Sequence, residues 1–181
     1  MKQPYELIRG LERLCEQEDR AALASLRRGM GQPPGAVLET SRIVEHMLDE
    51  DDQEYIREAL YVIAPLFAYH PASEAGDRWK SNMGSHFRKL FGENEEPPAN
   101  VERRFMALLS SEPDDLPDTL RQAVSLLKSK DESVNWLNLF DDVQKWLDRR
   151  PEGEKRRKEV RLRWARSFWR LRLADTKGSV Q

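Results

Sequence analysis

The sequence contains little of the chemistry that enzyme active sites usually require. Cys15 is the only cysteine in 181 residues, which excludes an intrachain disulfide and a zinc site built from several cysteines. The three histidines, His46, His70 and His86, stand apart, without the short spacing that holds a metal ion. We expect each of them on the surface or at a helix end. Because no glycine-rich phosphate loop and no nucleophile elbow is present either, we expect no catalytic residue, no bound metal and no cofactor.

Long apolar runs are absent as well. No stretch approaches the roughly 20 apolar residues that a membrane-spanning helix needs, and the first residues lack the apolar core of a signal peptide. Hydrophobic residues make up 39% of the chain and charged residues 34%. These features predict a soluble, highly charged globular protein in the cytoplasm, with a chain long enough to bury a core.

Strand-like alternation is also missing, whereas helical spacing of apolar residues runs through nearly the whole chain. Leu7, Leu11, Leu14 and Cys15 form one stripe, on which we expect Cys15 to pack as an apolar residue. Residues 136–147 form the most regular stripe of all. The pattern predicts an all-α protein with eight or nine helices in two small helical bundles.

A charged stretch with two prolines at 93–98 is the best candidate for a linker. We therefore predict an N-terminal helical bundle over residues 1–93 and a C-terminal helical bundle over 99–173. A flexible tail is expected at 174–181.

Local signals predict three features of the helices. Ser81 is expected to cap a short helix, and Asn100 is expected to cap the next one. Pro65 lies inside an apolar pattern and is expected to kink or break its helix.

Positive charge is concentrated late in the chain. Residues 149–172 contain eleven Lys or Arg residues and three Glu residues, a local charge of +8 in a protein whose net charge is −2. We name this segment the basic run. Its density is unusual for a solvated helix face and favours contact with a polyanion.

The last helix, predicted over 154–173, carries part of the basic run on one face. At 100° per residue, one face holds Arg156, Arg163, Arg166 and Arg170. Two apolar sectors lie beside it, one with Val160, Trp164, Phe168 and Leu171 and the other with Leu162, Ala165, Trp169 and Leu173. The pattern predicts a cationic ridge over an apolar anchor that packs on two sides.

Further basic residues lie beside apolar stripes in other helices. They are Arg20, Arg27, Arg28, Arg88, Lys89, Arg103, Arg104, Arg121, Lys128, Arg149 and Arg150. Together with the four arginines of the ridge they are our candidates for binding nucleic acid. The planar guanidinium suits bidentate contact with phosphate, and such contacts bind the backbone without reading sequence. The tryptophans at core spacing are expected to pack rather than to stack on bases.

Several segments, in their order and spacing, resemble the small subunit of the type I-E CRISPR surveillance complex Cascade, the CasB family. They are Arg-Ala-Ala-Leu-Ala-Ser-Leu-Arg-Arg-Gly at 20–29, Asn-Met-Gly-Ser-His-Phe-Arg at 82–88, and Asn-Val-Glu-Arg-Arg-Phe-Met-Ala-Leu-Leu at 100–109. Leu120-Arg121 with Leu126-Leu127-Lys128, Val134-Asn135-Trp136 with Trp146, and Trp-Ala-Arg-Ser-Phe-Trp at 164–169 complete the set. The resemblance covers about residues 5–172.

The resemblance implies an all-α protein of two bundles without enzymatic activity, acting in antiviral defence. It implies contacts with the backbone and large subunits, with a second copy of the chain, and with the guide RNA, the target strand and the displaced strand. The family-like, arginine-rich positions are Arg27, Arg28, Arg103 and Arg104, and Arg149 and Arg150 follow the second tryptophan. Asn135 stands where related chains often have Asp, and either residue can cap a helix.

Our leading hypothesis is therefore a non-catalytic, RNA-binding and DNA-binding subunit of Cascade that stabilises the guide–target hybrid and the displaced strand. The alternative is a helical scaffold that docks an acidic protein partner through its basic face. A nucleic-acid hydrolase is a third hypothesis, which the missing acid and histidine constellation disfavours.

Overall fold

The computed structural model describes residues 3–73, 81–92 and 96–169. Within these ranges the chain forms nine α-helices and no β-strand, apart from one isolated bridge between Ser73 and Val134. The helices are α1 (Pro4–Glu16), α2 (Arg20–Arg28), α3 (Leu38–Met47), α4 (Glu54–Tyr69), α5 (Met83–Arg88), α6 (Ala99–Leu109), α7 (Leu116–Ser129), α8 (Trp136–Leu147) and α9 (Gly153–Phe168). The all-α prediction with eight or nine helices is confirmed.

Side-chain caps mark several of the helix starts. The Asp19 carboxylate accepts the backbone N–H of Ala22 at the start of α2, and Asn135 accepts the N–H of Asn138 at the start of α8. These bonds satisfy backbone donors that have no partner within a helix. The short helix α5 is capped by Asn82, one residue after the predicted cap.

The predicted cap at Asn100 and the predicted break at Pro65 are wrong, whereas the predicted kink at Pro65 stays a prediction. Asn100 lies inside α6, which begins one residue earlier and follows Pro98. Helix α4 runs through Pro65 without a break, as one element of 16 residues. Pro65 is buried among the apolar residues of α4, so tertiary packing holds the helix together where local propensity disfavours it.

Helix α8 lies at the centre of the molecule, packed against α4, α9 and α1. The rings of Trp146 and Trp164 have their centroids 5.1 Å apart, and Trp136 meets Phe67 edge to face at 5.6 Å. All three tryptophans are almost fully buried, which confirms that they pack in the core.

The division into two bundles stays a prediction. Helices on the two sides of the predicted linker do contact each other, because α8 packs on α4 and α5 packs on α9. The tail predicted at 174–181 lies outside the described residues, as does the C-terminal end predicted for the last helix. No helix of the described chain is both long and apolar enough to cross a membrane.

Candidate nucleic-acid interface

Helix α2 presents three arginines to solvent. Arg20, Arg27 and Arg28 are exposed, whereas Leu26 is fully buried. The burial of one face against α3 and α4 turns these side chains outward. Within the ranges that the structure describes, no carboxylate pairs with any of the three, so their donors remain available for another molecule.

Helix α6 presents a second set. Val101 and Phe105 are buried, and Arg103 and Arg104 between them are exposed. Neither arginine has an ion-pair partner among the described residues. We name these two, together with Arg20, Arg27 and Arg28, the unpaired arginines.

Arg149 stands in a different environment. Its guanidinium contacts the Glu58 carboxylate at 2.5 and 3.1 Å and the Asp114 carboxylate at 2.7 Å. The hydrogen bonds that the guanidinium donates to these carboxylates raise the pKa of Arg149 above its ordinary value. Arg149 therefore ties the start of α4 to the loop before α7, and two carboxylates compensate its charge.

Arg150 and Arg156 converge on one buried carboxylate. The Asp148 side chain has no exposed surface and accepts Nε of Arg150 at 2.8 Å and Nη1 of Arg156 at 2.8 Å. The hydrogen bonds from Arg150, followed by the charges of both arginines, hold the pKa of Asp148 below its ordinary value. These arginines stabilise an acid that the fold has removed from water.

Arg163 pairs with a second buried carboxylate, Asp142, which also accepts Nε1 of Trp164 at 2.6 Å. Burial raises the pKa of Asp142 in spite of the opposing effects of Arg163 and the indole N–H. The arginines of the predicted ridge therefore do not form one free cationic surface, because Arg156 and Arg163 pair with buried acids. Arg170 lies outside the described residues.

The remainder of α9 departs from the predicted two-sided anchor. Val160, Trp164 and Phe168 are buried as predicted. Leu162 and Trp169 are 50% and 41% exposed, so the second apolar sector lies on the surface. Helical phase predicts that these residues share a sector. The ring of Trp169 meets Phe105 of α6 edge to face, with the centroids 5.7 Å apart, but part of its surface stays exposed. Arg166 is exposed there without an ion-pair partner among the described residues.

The other four candidates each have a local contact. Arg88 lies over the ring of Phe91, and Lys89 pairs with Glu132 at 2.9 Å. Lys128 donates to the carbonyl oxygen of Tyr69 and lies 3.7 Å from the centroid of its ring. Arg121 pairs with Asp118 of its own helix at 3.1 Å, and both side chains are largely exposed. Of these four contacts, the exposed pair of Arg121 is the weakest constraint.

Arg121 also borders a cleft of about 300 Å³ between the turn after α2, helix α4 and the start of α7. We name it the α4–α7 cleft. Gly31, at φ 74°, lets the turn approach the Arg121 guanidinium, whose atoms lie 3.7 to 3.9 Å from the place of a Cβ. Gly29, which follows Arg27 and Arg28 in the sequence, is one of the residues that line the cleft. The structure thereby brings Arg121 to the turn that follows α2, a proximity that sequence spacing does not reveal.

The sequence profile of the family described as CRISPR-associated protein Cse2 matches residues 22–169. This range contains all nine helices except α1 and the first residues of α2. The chain belongs to the Cse2 family. The resemblance to the CasB small subunit is thereby confirmed.

Known Cse2 and CasB proteins are similar to this chain in sequence and fold. A curated "CRISPR-associated protein Cse2" from Thermus thermophilus is 33% identical over 150 residues, which are 82% of this chain and 79% of that protein. The crystal structure of CasB from Thermus thermophilus superposes with a TM-score of 0.73 at 30% identity, over 93% of this chain and 99% of the other. M. ruber CasB superposes with a TM-score of 0.69 at 27% identity, over 92% and 93%.

A further structure, described as a CRISPR RNA-guided surveillance complex, contains a chain with the same fold. The TM-score is 0.70 at 23% identity, over 91% of this chain and 92% of that one.

In this Cse2-family chain, the candidates selected from the sequence omit other arginines, some of them paired with acids and some not. Arg157 and Arg161 contact Glu112, at 3.0 and 3.1 Å. Arg13 and Arg42 line a groove between α1, α2 and α3 and have no ion-pair partner among the described residues. The latter two stand singly in the sequence, so only the packing of α1 and α3 against α2 reveals their proximity.

Groups that resemble a metal or catalytic site have structural roles here. The carboxylates of Asp49, Asp51 and Asp52 lie within 4.8 Å of one another, but Asp52 accepts the N–H of Asp49 and thereby closes its own loop. His86 lies in the last turn of α5, at a helix end as expected, but it is buried rather than on the surface. Its Nε2 accepts the N–H of Asn135 at 3.0 Å. Cys15 is half-buried against the core.

Proposed function

We propose that this chain is the non-catalytic small subunit of a CRISPR RNA-guided surveillance complex of the Cascade type, acting in the cytoplasm in antiviral defence. Membership of the Cse2 family supports this proposal, as does the shared fold with a chain of such a complex. In this assembly it contacts the backbone and large subunits and a second copy of itself, and it stabilises the guide–target hybrid and the displaced DNA strand.

The observation that carries nucleic-acid binding is the set of unpaired arginines on α2 and α6. Guanidinium groups on rigid helices bind phosphates without regard to sequence, and each contact releases counterions. In RNA-guided recognition, base pairing reads the sequence, so the protein has only to hold backbone and shape. Arg27 and Arg28 are exposed side by side on one helix, which suits successive phosphates of one strand.

The paired arginines of the basic run contribute less in this proposal. A phosphate that approaches Arg149 has to compete with Glu58 and Asp114, which already occupy its donors. We therefore rank Arg27, Arg28, Arg103 and Arg104 above Arg149 as contacts to nucleic acid.

Charge reversal in the assembled complex tests the proposal. We expect the double substitution Arg27→Glu and Arg28→Glu to weaken retention of target DNA by at least tenfold, measured by filter binding at fixed salt. The matched control is Lys155→Glu with Lys158→Glu, which makes the same charge change on exposed positions of α9. If the first pair retains DNA as well as the control, the proposed interface is wrong.

A second candidate function is docking of a protein partner, and the exposed apolar sector of α9 favours it. Leu162 and Trp169 lie near Arg166 on the surface, and an apolar patch rimmed by charge is typical of protein interfaces. This function predicts that Trp169→Ala lowers incorporation of the chain into the complex, even after nuclease treatment. Unchanged incorporation would remove this candidate.

A further inference from the structure

The α4–α7 cleft has the mixed chemistry of a nucleotide site. Its floor and walls are apolar, with Val62, Leu66 and the ring of Tyr61 on α4 and prolines on the two facing loops. The hydroxyl of Tyr61 donates to Glu45 at 2.9 Å, which fixes the ring as part of the wall. The volume of about 300 Å³ lies at the lower end of the range for small-ligand pockets.

Three carboxylates line this cleft, those of Glu58, Asp114 and Asp118, and Arg121 lines it beside its exposed partner Asp118. Arg27 and Arg28 immediately precede Gly29, the lining residue that comes first in the sequence, and Arg121 lies against Gly31 of the same turn. Glu58 and Asp114 line the cleft while they hold Arg149. A carboxylate has about four acceptor positions, so each retains capacity for another donor.

This distribution of charged side chains suits a nucleotide better than a simple anion. A phosphate inside the cleft would face carboxylates, whereas a phosphate at the rim would face arginines. A base carries no charge, has an aromatic face for Tyr61, and offers N–H groups to carboxylate oxygens. On the basis of the proposed function, we propose that the α4–α7 cleft holds one unstacked base of a single strand whose phosphates lie on Arg27, Arg28 and Arg121.

The site has a chemical preference. Cytosine presents an N4 amino group that donates to Asp or Glu, whereas thymine presents a carbonyl oxygen at the same place. The two bases are close in size, so apolar burial does not distinguish them. The carboxylates of Glu58 and Asp114 therefore favour cytosine over thymine.

The test compares labelled 12-residue oligonucleotides with the full chain by fluorescence anisotropy. We expect oligo-dC to bind about fivefold or more tightly than an abasic strand of the same length, as base stacking on an aromatic side chain provides. Oligo-dT should lie between them. Val62→Trp fills the cleft and should reduce oligo-dC binding to the abasic level. Leu162→Trp, which adds the same ring on α9, should change nothing.

Each outcome has a distinct meaning. If Arg27→Glu with Arg28→Glu leaves binding of every strand unchanged, or if the wild type binds none, the proposed function fails and the base site with it. If the wild type binds abasic and oligo-dC strands equally, only the base site is wrong. Unchanged binding of the abasic strand by Val62→Trp shows that this variant is folded.

If Val62→Trp does not fold, a photocrosslink to the wild type tests the base site instead. An oligonucleotide with one 5-iododeoxycytidine, irradiated with the wild type, should attach to Tyr61. Attachment elsewhere, with none at Tyr61, would overturn the base site.

Discussion

The arginines at the end of α2 and those between Arg149 and Arg163 differ in what they contact. Arg27 and Arg28 have no acidic partner among the described residues. Among the described residues of the basic run, six arginines contact acids, which are Glu58, Glu112, Asp114, Asp142 and Asp148. Two of these acids, Asp142 and Asp148, are buried. All the arginines between Arg149 and Arg163 are thus paired with acids, whereas the two at the end of α2 have no such partner among the described residues.

The density of positive charge in the sequence therefore does not show how much of that charge the folded surface leaves available to a ligand. An arginine that compensates a buried carboxylate belongs to the folded structure, because removing it leaves a charge without a partner. An arginine without a partner adds little to stability and remains available for a ligand. Stability measurements should therefore respond to changes in the basic run, and binding measurements should respond to changes on α2.

The largest effect should come from separating α9, which carries the basic run, from α5. A Cβ atom at Gly84 would overlap the carbonyl oxygen of Trp164, a backbone atom that cannot move without its helix. We expect Gly84→Ala to lower the free energy of unfolding by about 3 kcal/mol, as measured by urea denaturation.

Gly10→Ala is its control, since a Cβ there would meet only the flexible end of Met47 at 2.8 Å. Helix α1 should tolerate or gain from that change. Equal losses in both variants would show that α9 is not docked through Gly84.

A smaller loss should follow from removing the acid that Arg150 and Arg156 share. Asp148→Asn keeps the shape of the side chain but loses the charge in three hydrogen bonds of 2.8 to 2.9 Å. Bonds to charged groups contribute more than neutral ones, so we expect a loss of about 2 kcal/mol in thermal or urea unfolding. Arg28→Gln on α2 should change stability by less than about 0.5 kcal/mol. A comparable loss in Arg28→Gln would abolish the distinction between the two regions.

These two regions also show which features local sequence can predict. The burial of Trp136, Trp146 and Trp164 follows from helical periodicity, which depends on neighbours three and four residues away. The partners of Arg149 do not, because Glu58 and Asp114 lie 91 and 35 residues away in the chain. Helical phase likewise groups Leu162 with Trp169 but cannot show whether another helix covers them. For the same reason, the sequence predicts both Arg27 and Arg149 as contacts to nucleic acid but cannot show that Arg149 is already paired with acids.

The salt dependence of DNA binding should distinguish the arginines of α2 from those of α9 without a measurement of stability. For single-stranded DNA, the slope of log K against log salt changes by about 0.7 for each phosphate contact. We expect Arg27→Gln to flatten the slope by about this amount in anisotropy titrations. Arg163→Gln, which removes the partner of buried Asp142, should lower stability and leave the slope unchanged. A flatter slope in Arg163→Gln would place the ridge of α9 on the nucleic acid.

The smallest effect should be a difference in pH dependence between the two buried acids. Hydrogen bonds from Arg150 hold the pKa of Asp148 below the ordinary value of about 4, so its stabilising contribution is present above that pH and is lost as pH falls through the folded pKa. Burial raises the pKa of Asp142, so its contribution is fully present at low pH and is lost as pH rises through the folded pKa.

Neither Asn substitution titrates, so each variant's difference from wild type reports one carboxyl group. Between pH 5 and pH 3, about one unit on either side of the ordinary pKa, the stability deficit of Asp148→Asn should shrink. That of Asp142→Asn should grow. The measurement is urea unfolding at several pH values. Parallel changes in the two variants would mean that Arg150 and Arg156 do not hold Asp148 ionised, and these arginines would then be as available to phosphate as Arg27.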